Sequence, residues 1–143
     1  MKILTLLIAM TLFASFSPIF AEEHEHGKKD DHPLPTSYAE AMKALDEHTG
    51  HIAKLMESGK LDDVHHEAAN IQKIAQSLAK LASKDGSGVA QDHIRDVNLT
   101  SKKLAATFEP IDAAADAGKK DETQKVYDEI VSLIDTLKKL STK

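Results

Sequence analysis

Between residues 38 and 140 the hydrophobic side chains recur at alternating steps of four and three. They fall in four blocks, parted by "ESGKLDD", "SKDGSG" and "DAGKKDE". This spacing keeps one narrow stripe of an α-helix apolar, as in helices that pack lengthwise on one another. The spacing predicts a first helix over 38–58, opened by a capping box of Ser37 and Glu40, with Tyr38, Met42, Leu45, Thr49, Ile52 and Met56 inward. A second, over 63–83, turns Val64, Ala68, Ile71, Ala75, Leu78 and Ala82 inward. A third, over 89–117, carries Ala90, Ile94, Val97, Ser101, Leu104, Phe108, Ile111 and Ala115, with a kink expected one turn before Pro110. A fourth, over 122–140 behind an Asp121 cap, buries Val126, Ile130, Leu133, Leu137 and Leu140. Short connections make consecutive helices antiparallel neighbours, so the expected fold is all-α, an up-down-up-down antiparallel four-helix bundle over 37–143. Aromatic residues are 4% of the chain and tryptophan is absent, so the core must come from Leu, Ile, Val, Ala and Met, which suits helices better than sheets.

What precedes the blocks has a different character. Residues 1–21 carry one charge, Lys2, and an apolar run from Ile3 to Phe16, then end in Ala21. That is the layout of a secretory signal peptide, and its apolar core is too short to span a bilayer as a helix. Export to the periplasm follows, with no membrane contact after cleavage. Loss of the leader's single lysine takes the formal charge from −5 to −6, and this mildly acidic balance argues against nucleic acid or anionic lipid as a partner. Residues 22–36 open as "EEHEHGKKDDHPLP", which reads as a disordered tail rich in histidine and acid. No cysteine occurs, so disulfides, thiolate ligands and covalent haem attachment are excluded.

Two stretches, "MKALDEHTGHIAKL" and "IDAAADAGKKDETQKVYDEI", resemble the cytochrome b562 and cytochrome c′ superfamily of periplasmic four-helix bundles. The resemblance implies the same scaffold and sets Met42 at the place of that family's methionine haem ligand. The family's second ligand, a histidine near the end of the last helix, has no counterpart in "VSLIDTLKKLSTK". What resembles the family is therefore the scaffold, and its haem binding does not carry over; haem b stays only as an alternative cofactor of an electron-transfer protein, held by Met42 and His93 in a geometry unlike the family's.

Three histidine groups can do chemistry. Processing after Ala21 leaves Glu22-Glu23-His24 at the amino terminus, where a free amine, two backbone amides and an imidazole can encircle Cu(II) or Ni(II) in one plane, with His26 and His32 in reserve. The second group is His48 and His51 on one flank of the first helix, with His65 or His66 facing them from the second and Glu67 able to add an oxygen. Imidazole with carboxylate suits copper, nickel or zinc. His93 is the third. No nucleophile motif, phosphate loop or paired Glu-x-x-His is present, so the chain reads as a non-enzymatic binder that buffers a transition metal or hands it to a periplasmic delivery or redox partner, with the haem protein and a metal-free structural or interaction bundle as the alternatives.

Overall fold

The computed structural model describes residues 33–141. They are all-α, with no strand among the described residues: α1 (Tyr38–Ser58), α2 (Val64–Ala82), α3 (Ile94–Ala106), α4 (Phe108–Asp116) and α5 (Lys120–Ser141), with short 3-10 turns at Leu61–Asp63 and Gln91–His93. The signal peptide, the processing point and residues 22–32 of the tail lie outside the described residues. Among the described residues no helix is long and apolar enough to cross a membrane.

α1 spans the residues its periodicity gives it. Ser37 Oγ accepts the Glu40 N–H at 3.2 Å, satisfying one of the orphan donors of the first turn. The reciprocal half of the box is shifted by one residue, because Glu40 Oε2 takes the Thr36 N–H at 3.0 Å and the Thr36 hydroxyl at 2.8 Å instead of the cap's own amide. At the other end Gly59 adopts φ +74°, and the Lys60 N–H returns to Leu55 O at 2.9 Å. This left-handed cap reverses the chain, and the 3-10 turn delivers it into α2.

The expected long third helix is two helices. Pro110 has no N–H to give Ala106 O, and its ring would press on that same carbonyl. The chain therefore breaks at Thr107 and restarts at Phe108, which makes Pro110 the third residue of α4, where the missing N–H costs nothing. α5 starts two residues before its predicted start. Gly118, at φ +65°, follows the end of α4, and the Thr123 hydroxyl donates to Lys119 O at 3.0 Å.

α1 packs on α2 and α5, α2 packs on α3 and α4, and α3 and α4 in turn pack on α5. The core between them includes Leu45, Ile52, Ile71, Leu78, Leu104, Ile111, Ile130 and Leu137, each under 2% exposed. Every inward position expected of α1 and α2 is buried, and Ala41, His48, Ile74 and Leu81 join them because each helix packs against more than one neighbour. On α5 the buried residues are Thr123, Ile130, Ile134 and Leu137, whereas Val126, Leu133 and Leu140 are only partly covered. Contact on two sides turns that stripe toward Ile134. No buried side-chain nitrogen or oxygen among the described residues lacks a hydrogen-bond partner.

Candidate metal centre

The α1–α2 hairpin sets the register of the site. His51 lies eight residues before Gly59 and Glu67 eight after it, so the two stand level across the hairpin. His48 lies one turn further along α1, three residues from His51 and on the same flank. Glu67 is turned into the seam, with its side chain 22% exposed, against 11% for His48 and 55% for His51.

The carboxylate of Glu67 reaches both imidazoles, one oxygen to each. Its Oε2 is 2.6 Å from His48 Nδ1, and its Oε1 is 3.3 Å from His51 Nδ1. A carboxylate offers only acceptors, so His48 donates Nδ1–H across the seam. The two rings stand nearly perpendicular, 86° apart, with centroids separated by 6.4 Å. Burial works to raise the Glu67 carboxyl. The hydrogen bond from His48 and the charges of His48 and His51 outweigh it and hold the group below its ordinary value of 4.5.

One ligand atom from each of His48, His51 and Glu67 lies within 4.8 Å of the other two, and among the described residues this is the one group of three that could hold a metal ion. Two nitrogens and an oxygen, presented by two helices and open on the His51 side, form a three-donor set that leaves room for further ligands on the ion.

The other residues expected at a site are distributed elsewhere. His65 does not join His48 and His51. It precedes Glu67 by two residues, about 200° around the helix, and its Nδ1 sits 2.6 Å from Asp112 Oδ1 on α4. Glu67, which the periodicity places near the inner face, takes the position facing α1. His66 is exposed, with its ring centroid 5.6 Å from that of His65. Met42 is a core residue, 8% exposed. His93 ends the 3-10 turn before α3 and donates Nδ1–H to Leu140 O at 3.1 Å. Glu22, Glu23, His24, His26 and His32 lie outside the described residues. The sequence reading missed Asp112 as a histidine partner, because nothing in the spacing of α2 shows which residue of a helix beyond the break will face it.

No protein-family model, curated protein or solved structure matches the chain. The chemistry of this centre rests on its own residues.

Proposed function

We propose that this protein is an exported, periplasmic four-helix bundle of up-down-up-down antiparallel topology that binds a transition metal ion, copper or nickel ahead of zinc, and buffers it or hands it over without catalysing a reaction. The observation that carries this reading is a single carboxylate, Glu67, set against two imidazoles from the facing helix. Imidazole nitrogen with a carboxylate oxygen is a donor set matched to copper, nickel and zinc, and poorly matched to magnesium or calcium. Three protein donors leave coordination positions for water or for a ligand of the receiving partner, as a hand-over site requires. The half-exposed His51 gives the ion a way in and out. In this reading the amine, amides and imidazole of Glu22, Glu23 and His24 form a labile square-planar site that captures the ion first.

Calorimetric titration of the mature protein with Cu(II), Ni(II) and Zn(II) at neutral pH tests the proposal. A His24→Ala background removes the tail site and leaves the helical histidines. In that background Glu67→Gln and His48→Ala are each expected to weaken binding by about tenfold or more, equivalent to ~1.4 kcal/mol or more. Affinities that stay unchanged in both variants would sink the reading.

A further inference from the structure

α2 carries a second imidazole group, with His65 about 200° and His66 about 100° around the helix from Glu67. His65 is held there by three contacts of different kinds. Its Nδ1 is 2.6 Å from Asp112 Oδ1, the edge of its ring meets Phe108 with centroids 5.6 Å apart, and His66 packs on it at the same 5.6 Å with planes 80° apart. A carboxylate only accepts, so Asp112 takes the Nδ1–H, and the lone pair of the neutral ring is placed on Nε2. This is the arrangement by which metal-binding histidines are commonly oriented: the ring nitrogen that does not bind the ion donates to a carboxylate, which fixes the tautomer and raises the basicity of the other nitrogen. The side chain of His65 is 47% exposed and His66 is exposed as well, so an ion reaches both without any helix moving.

We infer that His65 and His66 form a second metal site, taking one divalent ion of the imidazole-preferring kind, with Asp112 as the positioning residue for His65. The site shares no ligand with the His48–His51–Glu67 group and can fail or succeed independently of it. It has two protein donors where the first has three, so it fills at higher metal concentration, as a buffer's reserve does.

Cu(II) added to the ¹⁵N-labelled mature protein gives a residue-resolved readout, because the paramagnetic ion broadens nearby amide signals. In a His48→Ala/His51→Ala background, the amides of Phe108 and Asp112 are expected to broaden as Cu(II) is added. Replacing His65 and His66 by alanine in the otherwise native chain should abolish that broadening while the amides around His48 and His51 still respond. Asp112→Ala, with its fold checked by circular dichroism, should raise the Cu(II) concentration needed at Phe108 by about 10- to 100-fold. Broadening at Phe108 that is absent from the first background, or that persists undiminished without His65 and His66, overturns the inference. In the native chain, absence of broadening around His48 and His51 while Phe108 and Asp112 respond overturns the proposed function instead and leaves this second site standing.

Discussion

At the scale of the residue, Glu67 links the two helices of the first hairpin and is also the site's one carboxylate donor. Its carboxyl is held below the ordinary 4.5, so the folded chain binds that proton less readily than the unfolded chain does. The stabilisation it provides is therefore complete above that ordinary value and is lost as pH falls through the depressed one. Glu67→Gln keeps the shape but removes the charge. A hydrogen bond to a charged partner contributes about 1.5–3 kcal/mol, and denaturant unfolding near neutral pH should show a loss in that range. The variant's stability should also vary less with pH in the acid region than the native protein's. Metal affinity has its own pH dependence: protons compete with the ion for the imidazole nitrogens, so calorimetry should find weaker binding in acid. His48 and Glu67 both became visible from the sequence through periodicity. The pairing of His65 with Asp112 did not, because it depends on the rotation of α2 against a helix whose start is set by a break.

At the scale of the element, what brings Glu67 level with His51 is the turn at Gly59. A β-carbon there would meet nothing within 4 Å, so space is no obstacle to a larger residue. The constraint is the backbone, at φ +74°. An L-residue in that region costs about 1–2 kcal/mol, and chemical denaturation of Gly59→Ala should report a loss of that size. Because the hairpin register is also held by the core residues Ile52, Met56 and Val64 along α1 and α2, the folded variant should bind metal with nearly native affinity. A large loss of affinity would mean that the turn itself shapes the site. The element scale also shows what a hydrophobic pattern conveys and what it leaves out. Steps of four and three marked α1 and α2 almost residue by residue, since nothing interrupts them. The same steps run unbroken through residues 101–115, yet the chain there is two helices, because the backbone of Pro110 overrules a stripe that its neighbours continue. On α5 the stripe read from the sequence was right at Ile130 and Leu137 and missed Ile134, for a helix touching two neighbours buries more than a single seam.

At the scale of the whole molecule, the first and last helices are joined by a buried tyrosine. Tyr38 is 1% exposed, and its hydroxyl donates to Leu137 O at 3.2 Å, ninety-nine residues along the chain. The ion pair between Lys138 and Asp46 crosses the same pair of helices, but both partners are substantially exposed and such a pair contributes little. Burial pushes the Tyr38 hydroxyl from its ordinary 10 up to about 12. Between those two values the unfolded chain gives up this proton and the folded chain keeps it. The folded state then binds more protons, and stability must fall as pH rises through the window. Tyr38→Phe separates the two roles of the hydroxyl. Below pH 10 it should be less stable by about 1 kcal/mol, the usual net value of one hydrogen bond, because Leu137 O loses a donor in a dry place. Above pH 10 the native protein loses stability that the variant keeps, so the two denaturation curves, followed by the helical circular dichroism signal, should draw together. Parallel curves across the alkaline range would mean that Tyr38 ionises as freely in the folded protein as in the unfolded chain, and that its burial against α5 does not hold the proton.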